Sequence, residues 1–578
     1  MEARSGHFLL VPRIPNLASK VLSLVLARLP EDWGERFGYR PVLVESFVES
    51  RRFRGSCYRA ANWIHVGSTS GRGRQDSTHR ADRGRKEVFL FPLEEEWREK
   101  LCVEPILESK TTSDWTHLEF GDADLGDERL TKRLCRVARD FFAHPTANIP
   151  EACGGRAETK AAYRLFANEH VTMDSILATH VESTVRRVAK EKIVLAIQDT
   201  TSLSYTTHLE TEGLGPIAGS PITTLGLLVH STLAVNTAGT PLGLLDVQCW
   251  ARDLGEHGKR RDRNSRSIED KESLKWLVGY HATEKAQRRL EETRIVNVGD
   301  AEADLFELFV RARRGGTTRR PDVLIRAKRP RRVECADRST PLVLEHMNAL
   351  PRRGRLPIVV PRSGSRPRRE TSLELRFAEL RIRPAWGSPH RSPITMTAIL
   401  ATEERQPTAG QPIEWLLLTT IPVRTVEEAA EKVGWYALRW QIEVFHRTLK
   451  SGCRIEDRQL GSAKSLEACL AVDMVVAWRI FHLTKLGREL PDVPCSVFFE
   501  EMEWKALVCF VEKSEVLPTQ PPTLKEATRM VARLGGFIGG SKNDPGTQTM
   551  WRGLQRLDDI AVAFDAGMKV AAARMDSS

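Results

Sequence analysis

Several features that mark other classes of protein are missing from this 578-residue sequence. Its ten cysteines form no C-x-x-C pair and have no histidine at zinc-finger spacing, so we expect ordinary reduced thiols rather than a zinc site. No apolar stretch reaches the about 18 residues that a membrane span needs. The apolar piece at residues 21–29 is interrupted by Arg28 and lacks a convincing cleavage site. We therefore expect a cytoplasmic protein without membrane association.

The charge balance is basic, with a formal net charge of +11 and a sequence pI of about 9.2. Such a balance suits a polyanionic partner such as nucleic acid. A solvated basic surface would give the same number, so charge alone favours DNA without deciding for it. The hydrophobic content of 41% is ample for a buried core.

Residues 1–110 differ in composition from the rest of the chain. The stretch Arg51–Lys86 carries ten Lys or Arg against two Asp or Glu, mixed with Gly and Ser. Such a stretch buries little apolar surface, so we expect a basic, disordered or non-native extension. The alternative interpretation is a basic arm that contacts DNA.

From residue 111 onward the patterns predict an α/β protein. Asp127 is placed to cap a helix with apolar residues at helical spacing, in a basic helical region that spans 111–185. The continuous apolar run Ile193–Ile197 is typical of a buried strand, and Arg294–Val298 is a second candidate. Short β-like runs dominate residues 316–420, and helical periodicity returns at Val426 and continues to the C-terminus.

Three carboxylates stand out by their surroundings. Asp199 and Asp300 each follow a predicted buried strand, and Glu302 and Asp304 come shortly after Asp300. An acid at such a position is either a cap for the next turn or a ligand held on a rigid scaffold. Two such acids together favour the ligand interpretation.

The third carboxylate, Glu443, lies on a predicted helix with two neighbouring stripes. The apolar stripe is expected to face the core and comprises Trp435, Leu438, Ile442, Phe445 and Leu449. The adjoining polar stripe comprises Tyr436, Arg439, Glu443, His446 and Lys450. A surface ion pair between Arg439 and Glu443 would explain this stripe alone, but not the two strand-end aspartates. Three acids suit Mg²⁺, which prefers oxygen ligands and clamps the reacting oxygens of a phosphoryl transfer.

These residues resemble the DDE transposases of bacterial insertion sequences, in the IS-four family that includes the Tn-five transposase. The match is strongest in Tyr436-x-x-Arg439-x-x-x-Glu443-x-x-x-x-x-x-Lys450, the family's signature around its catalytic glutamate. Asp199 and Asp300 match the segments of the first and second catalytic aspartates, although Ala301 stands where the family has arginine. Further segments that match in order are Val229-His230-Ser231, Lys271-Glu272-Ser273, Trp415–Thr419 and Arg533–Phe537.

The resemblance implies an RNase H-like catalytic core with a β-rich insertion, a helical N-terminal DNA-binding domain and a helical C-terminal region. The corresponding boundaries are 111–185 for DNA binding, 186–475 for catalysis with the insertion at 316–420, and 476–578 for dimerisation. Residues 1–110 have no counterpart in the family, so we expect them to be dispensable for cleavage of transposon ends.

The resemblance also implies a function: cut-and-paste transposition in the bacterial cytoplasm, at the nucleoid. A homodimer would bind two transposon ends, nick them, form hairpins and join the ends to target DNA. Asp199, Asp300 and Glu443 would be the catalytic ligands of two Mg²⁺ ions, with Mn²⁺ as a substitute. Tyr436, Arg439 and Lys450 would contact terminal DNA, and Trp415 would support a flipped base. A core position beside Leu416 is an equal alternative for Trp415.

Two other functions fit the same residues. A metal-dependent DNA nuclease without strand transfer would use the same acids, and a joining assay would separate it from a transposase. An inactive DNA-binding inhibitor would pair with an active enzyme, but the presence of all three acids and Lys450 argues against it.

Overall fold

A computed structural model describes residues 15–37, 41–69, 85–94, 97, 114–217, 224–253, 268–314, 319–360, 368–384, 390, 392–405, 407, 411–540 and 543–575. The chain divides into two compact units, residues 1–105 and residues 106–578. Each unit has its own hydrophobic core.

The N-terminal unit corrects the expectation of a disordered extension for the residues that the structure describes. A three-stranded antiparallel sheet, in the order β1-β3-β2, packs with helices around Leu26, Val48, Trp63 and Phe89. The pairing of strands far apart in sequence buries these residues, so the local composition did not reveal them. The basic residues 70–84 lie outside the described part. The elements are α1 Leu17–Phe37, β1 Leu43–Glu49, α2 Ser56–Ala60, β2 Ile64–Ser68 and β3 Lys86–Pro92.

Five helices begin the second unit. The prediction for Asp127 is confirmed, because its carboxylate accepts a hydrogen bond from the backbone N–H of Arg129 at the start of a helix. Thr172 and Ser175 form a reciprocal cap at the start of the fifth helix. The helices are α3 Trp115–Phe120, α4 Glu128–Ala143, α5 Ile149–Cys153, α6 Arg156–Phe166 and α7 Met173–Val188.

A ten-stranded mixed sheet forms the centre of the second unit. Strands β7, β6 and β4 are antiparallel neighbours, and β8 and β9 then run parallel to β4. Helices cover both faces, so the central strands are apolar on both sides, as predicted for Ile193–Ile197. The elements are β4 Ile193–Ser204, β5 Gly215–Pro216, β6 Leu225–Asn236, β7 Pro241–Trp250, α8 Leu274–Arg288, β8 Arg294–Gly299, α9 Phe306–Arg313 and β9 Asp322–Arg326.

The β-rich residues 316–420 continue this sheet instead of forming a separate one. Strand β13 pairs antiparallel with β9, and β12, β11 and β10 follow outward in that order. The edge of the sheet is therefore extended by four strands beyond β9. The elements are α10 Val343–Ala349, β10 Gly354–Val360, β11 Arg369–Ile382, β12 Ile394–Glu403 and β13 Glu414–Thr419.

The predicted single helix around Glu443 is two helices. The chain turns at Leu438 and Arg439, and a short π-helical segment, Thr448–Gly452, follows the second helix. Neither glycine nor proline marks the turn, which is why the periodicity looked continuous. The remaining helices are α11 Val426–Ala437, α12 Trp440–Arg447, α13 Ala463–Glu489, α14 Glu501–Glu512, α15 Leu524–Leu534 and α16 Thr547–Met575. No helix in the described part is long and apolar enough to cross a membrane.

A buried polar cluster joins α3, α7 and β7. The Glu119 carboxylate accepts hydrogen bonds from His180 Nδ1 at 2.6 Å and from Arg187 at 2.7 Å. His180 Nε2 accepts from the backbone N–H of Leu244, and burial lowers the pKa of His180, so its ring stays neutral. Burial raises the pKa of Glu119, but Arg187 and His180 outweigh it and hold that pKa at about 2.

We predict that Glu119→Gln destabilises the protein at neutral pH. The folded pKa of about 2 lies below the ordinary 4.5, so the ionised carboxylate stabilises the fold above pH 4.5. This contribution, about 3 kcal/mol, is lost as pH falls towards 2. Thermal melting between pH 7 and pH 3 should show a large deficit at pH 7 that shrinks with acidification. Glu158→Gln, at an exposed pair with Arg136, is the matched control. A pH-independent deficit would contradict the assignment.

Candidate active site

Asp199 lies inside strand β4, not at its end as predicted. The strand continues for five residues to Ser204, held throughout by antiparallel pairing with β6. Parallel pairing with β8, in contrast, covers only Ile193–Ile197. Asp199 therefore lies just beyond the point where β8 leaves the ladder, on a backbone fixed from the other side.

Asp300 directly follows β8, as predicted. Its carboxylate accepts a hydrogen bond from the backbone N–H of Glu302 and caps a short 3₁₀ turn. Asp304 has a different task, because its buried carboxylate is paired with Arg331 and accepts backbone hydrogen bonds from Lys328 and Arg329. Of the two aspartates, only Asp300 faces the region beside Asp199.

Arg439 connects Asp199 with Glu443. The guanidinium is hydrogen-bonded to the Glu443 carboxylate one turn along α12, and its Nη1 lies 3.9 Å from Asp199 Oδ2. The turn at Leu438–Arg439 starts α12 here and lets the arginine side chain reach both acids. The three side chains are mostly buried, at 17–30% exposure.

The pKa of Asp199 is raised to about 6. Burial is the main cause, and the negative charges of Asp300 and Glu443 add to it, while Arg439 opposes the shift. Asp300 and Glu443 are thus both close enough to act on Asp199. Among the described residues, however, no group of three acidic, histidine or cysteine side chains is arranged to hold a metal ion.

A buried polar network lies on the opposite face of β4 from Asp199. Thr200 and Gln198, which flank Asp199, both hydrogen-bond the His230 ring, at 2.9 and 3.1 Å. The Gln198 amide donates to Asn297 on β8, which in turn donates to Thr283 on α8. Burial lowers the pKa of His230 to about 3, so its ring is neutral. The network ties β4 to β6 and β8 at the level of the acids, which fixes the backbone of Asp199.

Lys450, the last residue of the polar stripe, binds to strand β4. Its ammonium donates a hydrogen bond of 2.5 Å to the backbone carbonyl of Ser202 on β4 and lies 3.9 Å from Glu456. Glu456 also accepts from the backbone N–H of Ser204. This lysine is therefore held against the strand that carries Asp199, with its side chain 29% exposed.

Trp415 and Tyr436 form an aromatic pair, with ring centroids 5.2 Å apart in an edge-to-face arrangement. Tyr436 is 5% exposed, whereas Trp415 on β13 is partly buried and packs against the main core. Burial raises the pKa of Tyr436, and the nearby Asp300 charge adds to it. This pair borders the acids, and both interpretations of Trp415 remain compatible with its position.

Ser231 and His446 belong to a matching segment and to the polar stripe, but the sequence predicted no individual role for either residue. Ser231 is paired directly opposite Asp199, and directly opposed residues point to the same face. Its buried hydroxyl has no hydrogen-bond partner among the described residues, and neither has His446 Nε2 on α12. Only the tertiary packing of α12 on the sheet gives these groups their surroundings. Sequence reasoning missed Glu456, and its spacing from Lys450 gave no signal.

Comparison with known families finds three matching segments. Residues 112–171 match the family described as transposase DNA-binding, and residues 475–576 match the transposase Tn5 dimerisation domain. Residues 4–81 match the family described as Druantia protein DruA. One similar solved structure is the piggyBac transposase synaptic complex with hairpin DNA, with 9% identity and a TM-score of 0.28. That comparison covers 68% of this chain and 71% of the other, a likeness too weak to establish a shared fold.

The two transposase matches flank the sheet that carries the acids. They support a transposase with a DNA-binding segment before the sheet and a dimerisation segment after it. The second match begins inside helix α13, whose buried residues belong to the main hydrophobic core.

We predict that truncation of two aromatic residues of α12 changes the free energy of unfolding by very different amounts. Phe445 is fully buried, so Phe445→Ala should lower the free energy of unfolding by about 3–5 kcal/mol. Trp440, on the same helix, is 51% exposed, and Trp440→Ala should change it by less than about 0.5 kcal/mol. Thermal melting of the two variants measures both changes in stability. Equal losses would show that α12 packs with another face towards the sheet.

Proposed function

We propose that this protein is a DDE transposase that cleaves transposon ends and joins them to target DNA by a cut-and-paste mechanism. The observation that carries the proposal is the meeting of Asp199, Asp300 and Glu443, which come from three separate elements of the sheet and α12. We further infer that β7-β6-β4-β8-β9 is an RNase H-like core, since three antiparallel strands are followed by two parallel ones. The two transposase segments support the same proposal.

The chemistry of the donor set fits divalent magnesium. Three carboxylates offer the oxygen ligands that Mg²⁺ prefers, and a divalent cation would relieve the repulsion that Asp300 and Glu443 add to the effect of burial on Asp199. Asp199, Asp300 and Glu443 would hold two ions, or Mn²⁺ in their place. The bound metal would activate the attacking oxygen and neutralise the leaving oxygen. Glu443 must exchange its contact with Arg439 to take part.

The surrounding residues would position the DNA. Lys450, held beside β4, and Arg439 would bind phosphate oxygens near the scissile bond. Hydrolysis there would break one phosphodiester and free a 3′-hydroxyl. Attack of this hydroxyl on the opposite strand would form the hairpin phosphodiester and break the one to the flanking DNA, whose 3′-oxygen leaves and takes up the proton. Trp415 and Tyr436, next to the acids, would support the base that leaves the stack.

Holding two ends for one cut-and-paste event calls for two active sites. We propose a homodimer in the synaptic complex, with the segment 475–576 as the contact region. The cytoplasm, at the bacterial nucleoid, remains the expected location.

We predict that the three acids are required for nicking but not for binding. Asp199→Asn, Asp300→Asn and Glu443→Gln should each reduce nicking of end DNA on the order of a thousandfold or more, because each removes a charged ligand. The substrate is the DNA that flanks the coding region, with its inverted repeats. A gel assay resolves nicked, hairpin and joined products with Mg²⁺, Mn²⁺ or chelator, beside a binding assay.

Glu302→Gln is the matched control, because this exposed acid lies two residues after Asp300 and pairs only with Lys275 among described residues. It should nick at the normal rate. Full nicking by any of the three acid variants would overturn the ligand assignment. Nicking without joining by the unaltered protein would favour the nuclease alternative.

We predict that Trp415→Ala separates the two interpretations of this tryptophan. Supporting a flipped base by stacking recovers about 1–3 kcal/mol, so its loss should slow hairpin formation while the first nick proceeds. The same gel assay follows both steps, and thermal melting accompanies it. A variant that melts early and loses both steps equally would assign Trp415 to the core instead.

A further inference from the structure

A turn in the N-terminal unit combines exposed cations with exposed aromatic rings. It follows β1 and reads Ser50-Arg51-Arg52-Phe53-Arg54. Phe53 is 65% exposed, and Phe47 on β1 is 51% exposed, although this unit has a core that holds Trp63 and Phe89. These two phenyl rings are therefore not needed to fill the core of the unit. They lie close in sequence to three arginines.

The turn has a defined geometry and adds two further cations. The backbone N–H groups of Arg52 and Phe53 donate to the Glu49 carbonyl at 3.0 and 2.9 Å. The Ser50 side chain donates to the carbonyl of Arg85, at the start of β3, and Glu49 is paired with Lys86. We call the surface formed by Phe47, Arg51, Arg52, Phe53, Arg54, Arg85 and Lys86 the N-terminal patch.

The five residues of the turn include three cations and no acid, although Glu49 lies opposite Lys86 in the strand register. Within the described residues, the guanidiniums of Arg51, Arg52 and Arg54 form no salt bridge, and all three side chains are exposed. Elsewhere in the unit, charges do pair, as Arg28 with Asp32 at 3.1 Å and His65 with Glu87 at 2.5 Å. The patch is therefore a local concentration of positive charge with apolar rings set among it.

We propose that the N-terminal patch binds single-stranded nucleic acid without sequence preference. Guanidiniums bind phosphates, and a solvent-facing phenyl ring offers a platform for the face of a base. That face is available only when the strand is unpaired, which favours single strands over duplex. The inference goes beyond the proposed function, because the chemistry at Asp199 makes no use of this unit. It also assigns a binding role to residues outside both transposase segments.

The test uses the full chain and a labelled single-stranded 20-mer that lacks the transposon end sequence. Fluorescence anisotropy is measured over a series of salt concentrations. The triple variant Arg51→Ala, Arg52→Ala, Arg54→Ala should bind at least about tenfold more weakly, and its log–log salt slope should fall by about 2, since each lost phosphate contact removes about 0.7. Phe53→Ala should weaken binding by about tenfold, and Phe53→Trp should restore it.

The matched controls are Arg28→Ala and Leu24→Ala, both exposed on α1 of the same unit. They should leave affinity and slope unchanged, and thermal melting should be equal for all variants because the positions are exposed. An unchanged slope in the triple variant would overturn the proposal. So would intact strand binding with lost binding to phosphatidylserine vesicles, which would assign the patch to a lipid surface. End cleavage, assayed in parallel, reports on the proposed function separately.

Discussion

The parallel pairing of Ile193–Ile197 with Arg294–Val298 is the constraint on which the arrangement of the acids depends. Two strands separated by about a hundred residues of chain run side by side and place Asp199 and Asp300 next to each other where the pairing stops. Antiparallel pairing with β6 continues past that point, so Asp199 keeps a rigid backbone although β8 no longer pairs with β4 there. The polar network of Gln198, His230 and Asn297 adds side-chain bonds across all three strands.

This arrangement concentrates negative charge in a largely buried place, which is costly unless a cation is near. Arg439 supplies that cation and contacts two of the three acids. The turn at Leu438–Arg439 makes these two contacts possible, because it starts α12 at a point from which the guanidinium reaches both Asp199 and Glu443. Burial, with a smaller contribution from the charges of Asp300 and Glu443, still raises the pKa of Asp199 to about 6 although Arg439 opposes the shift.

The sequence predicted what short-range patterns encode. Continuous apolar runs located β4 and β8, a cap at Asp127 located α4, and the polar stripe identified Arg439, Glu443 and Lys450 together. It did not predict the turn at Leu438, where neither glycine nor proline interrupts the periodicity. It also missed the N-terminal sheet, whose core residues Val48 and Phe89 come together only by long-range pairing. The sequence named Ser231 and His446 but did not predict their unpaired buried polar atoms, since packing across elements defines the surroundings of both residues.

The continuity of the sheet gives the β-rich residues a physical role in the site. Strand β9 runs parallel to β8, and its last residue, Arg326, is paired with Leu417 on β13, two residues after Trp415. The Arg326 side chain also donates a hydrogen bond to the backbone carbonyl of Glu414, the residue before Trp415, and Trp415 is the edge-to-face partner of Tyr436. Strands β9 and β13 thus fix the position of the aromatic pair relative to Asp300 at the end of β8. An insertion joined by flexible linkers would let these rings move relative to the acids, whereas a shared sheet holds them in register. A fixed distance between rings and acids matters for any reaction in which both take part, because small misplacements of bound groups carry large costs in rate.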